Sequence, residues 1–126
     1  LSDAETIHVV DKVLDIIDTK EQFILDGFPR TMNQVTWMLG EVAAGRFEKP
    51  VVLHLTISEE EIRSRLSKRG RPDDTDAAIT QRFKNYQDET QPILKRLHEF
   101  EVTVIEIDGV GSPLAIHDKI VKELGL

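Results

Sequence analysis

Apolar residues recur along this chain of 126 residues in two alternating patterns. Recurrence every three or four residues is typical of amphipathic helices and predicts five of them. Short β-branched and apolar runs between the helices predict three strands. The helices are expected to begin near Ser2, Thr31, Ser58, Asp74 or Thr75, and Ser112, and the strands to lie at about 23–26, 51–57 and 102–107. Strands separated by helices predict an α/β fold with a parallel sheet and right-handed crossovers.

Capping signals mark where the helices begin. Ser2 with Glu5, and Ser58 with Glu61, have the spacing of a capping box, in which each side chain bonds the backbone of the other residue. Pro92 falls inside the fourth helical pattern and is expected to kink or divide that helix.

Composition narrows the class of protein. With 40% hydrophobic residues the chain can build a modest core, so a single domain is expected. The absence of cysteine from these residues excludes a disulfide, a thiol nucleophile and a zinc–thiolate site. A net charge of −7 argues against non-specific nucleic-acid binding, and no apolar stretch approaches the roughly 18 residues that span a membrane. We therefore expect a cytoplasmic protein with no nucleic-acid or membrane partner.

The run Ile-Leu-Asp-Gly-Phe-Pro-Arg-Thr-Met-Asn-Gln at 24–34 is the most informative stretch of the chain. The predicted strand delivers Asp26 to its carboxyl end, where Gly27 and Pro29 predict a turn and Arg30 follows at once. A carboxylate at that edge can hold a hydrated magnesium ion, and a guanidinium beside it can clamp phosphate. A generic strand–turn–helix joint with Asp and Arg on its surface is the alternative interpretation.

A second cluster is basic, and it lies within residues 63–71 of an otherwise acidic chain. Arg65 and Arg69 are four residues apart and therefore share one helical face. Arg71 and Arg82 are eleven apart, and Pro72 favours a loop followed by a helix between them. Such a cluster predicts either an anion site or a solvated helix face.

The 24–34 run resembles the Asp-Gly-Phe-Pro-Arg-Thr-x-x-Gln segment of adenylate kinases, and the two arginine spacings match pairs of that family. The resemblance extends from about residue 1 to the C-terminus. It implies reversible phosphoryl transfer from ATP to AMP with Mg²⁺, by an enzyme that is a monomer when complete. It also implies a three-layer P-loop kinase-like parallel sheet flanked by helices. The strands predicted here correspond to the third, fourth and fifth of the family order 2-3-1-4-5, so the first two strands are missing.

The resemblance assigns roles to individual residues near the acceptor nucleotide. Arg30 would hold the AMP phosphate, Gln34 would read the adenine edge, and Gly27 would complete the AMP site. Asp26 would contact Mg²⁺ through water. Gln34 also favours AMP over pyrimidine monophosphates, since related kinases for those acceptors tend to have Asn at that position.

On the ATP side, the resemblance makes Arg65, Arg69, Arg71 and Arg82 the catalytic arginines. Arg65 and Arg69 would also bind ATP, together with Gly111, although a plain turn before the last helix explains Gly111 equally well. The ATP lid would be very short, around 69–73, and Thr31 and Asp73 would support these contacts.

One part of the family pattern is missing from these residues, because no Gly-x-x-x-x-Gly-Lys-[Ser/Thr] loop occurs. That loop cradles the ATP phosphates. We therefore expect residues 1–126 to be a partial adenylate-kinase-like core that is inactive alone. The alternative is a non-catalytic nucleotide- or phosphate-binding relic, or a partner module. Other candidates have plainer interpretations: His54, Phe28 and Trp37 are expected to be packing residues.

Overall fold

The computed structural model describes all residues, 1–126, as five helices and two strands. The elements are α1 (Asp3–Ile16), α2 (Met32–Ala43), β1 (Val51–Thr56), α3 (Glu59–Arg69), α4 (Asp76–Glu99), β2 (Thr103–Asp108) and α5 (Pro113–Leu124). This arrangement is an α/β fold with a small parallel sheet. It confirms the five predicted helices and two of the three predicted strands. No helix is both long enough and apolar enough to cross a membrane.

Contacts divide the chain into two compact units, and α4 contributes to both. The first unit comprises 1–50 and 89–102, and the second comprises 51–88 and 103–126. Each unit is described separately below.

The first unit contains most of the buried apolar side chains. Helices α1 and α2 contact each other, and their inward faces carry apolar residues at the spacing that the sequence predicted. The buried residues of this unit are Leu14, Val35, Met38, Leu39, Phe47, Leu97 and Val102. Phe28 and Trp37 meet edge to face with ring centroids 5.9 Å apart, as expected of packing residues.

The predicted strand at 23–26 is wrong. These residues are irregular, and Ile24 is 91% exposed. A strand requires a neighbour whose backbone groups pair with its own, and the sheet contains only β1 and β2. An apolar run can therefore have the composition of a strand and still remain an extended loop.

The second unit is built on the parallel pair β1 and β2, in register from Val51 opposite Thr103 to Thr56 opposite Asp108. Pairing continues one residue further, because the Gly109 N–H donates to the Thr56 carbonyl at 2.7 Å. A Cβ on Gly109 would lie 2.8 Å from that same oxygen, so only glycine permits this approach. The sequence predicted β1 as a buried strand, but its Val51 is half exposed because a two-stranded sheet leaves much of each strand uncovered.

The capping predictions hold for the first helix and in part for the third. Ser2 Oγ accepts from the Glu5 N–H and the Glu5 carboxylate accepts from the Ser2 N–H, a complete capping box. Ser58 Oγ accepts from the Glu61 N–H at 3.1 Å, but the Glu61 carboxylate accepts from an arginine instead. Helix α4 continues through Pro92, so the proline does not divide it.

Candidate functional site

In the first unit, the loop before α2 presents a free guanidinium above a glycine. Gly27 has φ +75°, and a Cβ there would lie 2.7 Å from Arg30 Nη2. Glycine is therefore required twice, once by the backbone conformation and once by the neighbouring side chain. Arg30 is exposed and its guanidinium bonds no group of the chain, so all its donors remain available to a ligand.

Gln34 lies in the first turn of α2 and is buried, 6% exposed. Its Oε1 accepts from the Arg30 backbone N–H at 2.7 Å, and its Nε2 donates to Asp3 Oδ1 at 3.2 Å. Thr31 caps α2 by accepting from the Gln34 N–H at 3.3 Å, and its hydroxyl donates to the same Asp3 oxygen at 2.9 Å. The structure thus brings Arg30 and Gln34 together through the backbone of the loop.

In the second unit, two of the predicted arginines share one carboxylate. Arg69 binds Asp74 through two nitrogens, with Nε 3.1 Å from Oδ2 and Nη2 2.6 Å from Oδ1. Arg82 Nη1 donates to the same Oδ1 at 3.2 Å, and its Nη2 reaches Asp73 at 3.5 Å. The Asp74 side chain is only 3% exposed. Asp74 therefore holds the two guanidiniums beside each other while their outer faces stay in solvent.

Electrostatics follow from this pairing. The hydrogen bond from Arg69 lowers the pKa of Asp74, and Arg82 adds to the effect. The hydrogen bond to Asp74 in turn raises the pKa of Arg69. With Asp73, which Arg82 also contacts, the cluster holds two guanidiniums and two carboxylates, so its formal charges balance and an anion would be bound by the guanidinium donors that remain in solvent.

Arg65 is held at the end of β2. Its Nε donates to Glu61 at 3.0 Å, and its Nη2 donates to the Gly109 carbonyl at 3.1 Å. Gly109 is in place because it extends the pairing of the two strands. Helix α3 ends at Arg69, so Arg65 and Arg69 do share one helix at the predicted spacing of four.

The other two predicted site residues of this unit, Arg71 and Gly111, take no part in these contacts. Arg71 lies in the segment 70–75 between α3 and α4, is exposed, and makes no side-chain hydrogen bond. This confirms the loop followed by a helix between Arg71 and Arg82. Gly111 has φ +126°, a conformation that favours glycine, and directly precedes Ser112, whose hydroxyl caps α5.

Not every basic residue of the 63–71 cluster is free for a ligand. Arg63 donates to Glu59 on its own helix at 2.9 Å, and to Asp76 at 3.1 Å and Thr80 on α4. It therefore connects the two helices on either side of the 70–75 segment. His54, expected to be a packing residue, has a side chain 18% exposed, and its Nε2 lies 2.8 Å from the Tyr86 hydroxyl.

Similarity to known proteins identifies the family of the chain. The family model described as adenylate kinase matches residues 1–102. The chain belongs to the adenylate kinase family. It is 36% identical over 120 residues to an adenylate kinase of Mycobacterium sp. (strain MCS), covering 95% of this chain and 65% of that protein. It is 38% identical over 107 residues to the adenylate kinase of Mycolicibacterium paratuberculosis, covering 85% and 58%. The chain thus spans about two thirds of the length of these adenylate kinases or less.

Adenylate kinase chemistry implies a magnesium ion. No three His, Cys, Asp or Glu side chains are grouped so that they could enclose a metal. Asp26 is exposed, and its carboxylate accepts no hydrogen bond within the chain. Mg²⁺ keeps several waters and commonly takes only one or two carboxylates, so a contact from Asp26 through water fits these residues.

Sequence reasoning missed three residues of the site: Asp74, Gly109 and Asp3. Asp74 was placed only at a helix start, while Asp73 was expected to support the arginines; the structure gives Asp74 the closer contacts. The Asp-Asp doublet beside two arginines was the available signal. No local signal identified Gly109 or Asp3, because their partners lie 44 and 28–31 residues away.

Proposed function

We infer that the complete protein is an adenylate kinase that transfers the γ-phosphoryl group of ATP to AMP reversibly, giving two ADP. The observation that carries this proposal is the pair of exposed guanidiniums, Arg69 and Arg82, fixed beside each other by Asp74. Both side chains keep guanidinium donors in solvent, and a phosphoryl group in transfer spreads its charge over several oxygens that such donors can bind.

The acceptor nucleotide would bind on the first unit. Arg30 offers an unpaired guanidinium that can clamp the AMP phosphate with two parallel hydrogen bonds. Gly27 leaves room for that side chain, and Gln34 would read the adenine edge. All three belong to one short segment, so a single loop conformation sets their spacing.

The phosphates of ATP would bind on the second unit, where Arg65, Arg69, Arg71 and Arg82 would neutralise them. Pre-oriented charge of this kind stabilises the transition state because it needs no reorganisation when the reaction occurs. Arg71, free of internal partners, would complete the set from the very short lid around 69–73. Gly111 would approach the ATP adenine through its backbone.

Asp26 would hold Mg²⁺ through water, and the ion, when bound, would neutralise charge on the phosphates. We also propose that residues 1–126 form one core of a three-layer P-loop kinase-like fold, acting as a monomer in the cytoplasm.

A second candidate is a non-catalytic nucleotide- or phosphate-binding module. The observation that favours it is the absence of a Gly-x-x-x-x-Gly-Lys-[Ser/Thr] loop from these 126 residues. Without such a loop we expect weak nucleotide binding and no measurable transfer by the 126-residue chain.

A coupled assay with ATP, AMP and Mg²⁺ tests both candidates. It compares the 126-residue chain with a form extended upstream to include any phosphate-binding loop that precedes Leu1 in the encoded protein. Activity in the extended form alone supports the adenylate kinase proposal. Silence from both forms, with nucleotide binding retained, supports the binding module, and activity of the short chain alone contradicts our account of how the phosphates are held.

A further inference from the structure

The amide of Gln34 has a fixed orientation inside the first unit. Its Oε1 faces the Arg30 N–H, which can only donate, and its Nε2 faces Asp3, whose carboxylate can only accept when ionised. Turning the amide by 180° would place donor against donor and acceptor against acceptor. Because Gln34 is 6% exposed, water offers little compensation for that arrangement.

Asp3 is the centre of this network. Its Oδ1 accepts from the Thr31 hydroxyl at 2.9 Å and from Gln34 Nε2 at 3.2 Å, and its Oδ2 accepts from Asn33 Nδ2 at 3.1 Å. The three donors are neutral side chains of the segment 31–34, and no cation pairs with Asp3. Hydrogen bonds to a charged acceptor are roughly twice as strong as those between neutral groups. Asp3, the first residue of α1, therefore fixes three polar side chains at the start of α2.

From these contacts we propose that Asp3 is a positioning residue that sets acceptor-nucleotide specificity by holding the Gln34 amide in one orientation. This rests on the adenylate kinase function proposed above. Asp3 itself contacts no substrate; it acts through Gln34, and through the Gln34 Oε1 bond it also steadies the Arg30 backbone.

The chemistry of the base explains how orientation becomes specificity. After its two internal bonds, the amide keeps one acceptor lone pair and one N–H. A 6-aminopurine offers a donor at position 6 beside an acceptor at N1, whereas a 6-oxopurine offers the reverse. A fixed amide complements one order only, but an amide free to turn serves either. Loss of Asp3 is therefore expected to weaken the preference for AMP over IMP.

The test compares Asp3→Ala with a matched control, Glu5→Ala, in the full encoded chain. Both substitutions remove an acidic residue from the first turn of α1, but the Glu5 carboxylate bonds the Ser2 backbone and makes no hydrogen bond to 30–34. For Asp3→Ala we expect the KM for AMP to rise about tenfold, with the KM for ATP unchanged and the AMP-to-IMP ratio of kcat/KM lowered. Glu5→Ala should lower the thermal unfolding midpoint and leave the KM for AMP and the AMP-to-IMP ratio of kcat/KM unchanged.

A conservative variant and a structural readout complete the design. Asp3→Asn keeps an oxygen for Thr31 and Gln34 and should restore most of the AMP preference. Hydrogen exchange of the Arg30 amide, followed by NMR, should accelerate in Asp3→Ala and not in Glu5→Ala, whatever the activity.

The outcomes separate the two proposals. If the unsubstituted protein phosphorylates no AMP, the proposed function fails, while the exchange rates still report on the network. If it phosphorylates AMP but Asp3→Ala keeps its KM and its AMP-to-IMP ratio, the positioning role is overturned alone. Equal losses in Asp3→Ala and Glu5→Ala would mean that Asp3 acts only by stabilising the first turn of α1.

Discussion

Arg46 in the first unit and Arg82 in the second unit are both paired with carboxylates, but they differ in what remains of the guanidinium. Arg46 donates to Asp11, Asp15 and Glu41 at 2.5, 2.7 and 3.3 Å, and to the Asp11 carbonyl at 2.8 Å. These bonds occupy both terminal nitrogens, and the side chain is 19% exposed. Arg82 makes two longer contacts, at 3.2 and 3.5 Å, and is 50% exposed.

The comparison shows that ion pairs alone do not identify a ligand site. Arg46 makes the shorter and more numerous contacts, yet it has almost no donor left for a substrate. It links α1 to the end of α2, so its role is structural. In the second unit Arg69 and Arg82 share Asp74, whose side chain is 3% exposed, and both keep donors in solvent. Guanidinium donors that are held in place but have no partner in the chain remain available to bind an anion.

The largest expected effect is on turnover. In the complete enzyme, Arg82→Ala should lower kcat by at least about 100-fold, because it removes a pre-oriented donor to the transferring phosphoryl group. Arg46→Ala should change kcat by less than about threefold at a temperature where it is folded. The coupled assay measures both. A loss of turnover of similar size in the two variants would remove the distinction between the clusters.

The reverse order is expected for stability. Arg46→Ala should lower the midpoint of thermal unfolding by about 3–6 °C, because it leaves three carboxylates crowded without a cation. Arg82→Ala should shift the midpoint by less than about 2 °C, since Asp74 retains Arg69. Circular dichroism on heating measures both. If Arg82→Ala were the more destabilising variant, its loss of turnover could not be assigned to the chemistry.

A smaller effect concerns pH. Hydrogen bonding to Arg46 lowers the pKa of Asp11 below its ordinary value of 3.8, so the stability that this carboxylate contributes is present above that pH and is lost as the pH falls through the lowered value. The gap in unfolding midpoint between the unsubstituted chain and Arg46→Ala should therefore be widest near about pH 6 and shrink below about pH 3. A gap that stays constant over this range would mean that Arg46 stabilises by packing alone.

Local signals predicted the elements well. Ser2, Ser58 and Ser112 cap their helices as their sequence contexts indicated, because a cap depends on residues only three positions away. The sequence also predicted that Arg65 and Arg69 share one helix, because their spacing of four residues lies within a single element. By contrast, a strand at 23–26 would need a neighbouring strand to pair with, and the composition of the run does not show whether one is present.

Distance along the chain also explains why Asp3 and Gly109 were not identified from the sequence. Asp3 reaches Gln34 across 31 residues and Gly109 reaches Arg65 across 44, so no window of sequence contains both partners. Asp74 could have been found, since Arg69 and Arg82 are five and eight residues away. The sequence indicated which side chains could bind phosphate. It did not indicate which carboxylate would orient them.

The most direct test that Arg65, Arg69 and Arg82 bind phosphate is an NMR titration of the 126-residue chain with ATP. The titration follows the Nε–Hε signals of the arginines. Binding should shift the signals of Arg65, Arg69 and Arg82, while Arg46 serves as an internal control whose signal stays in place. Movement of the Arg46 signal with the others, or no movement of the second-unit arginines up to about 10 mM ATP, would contradict the account.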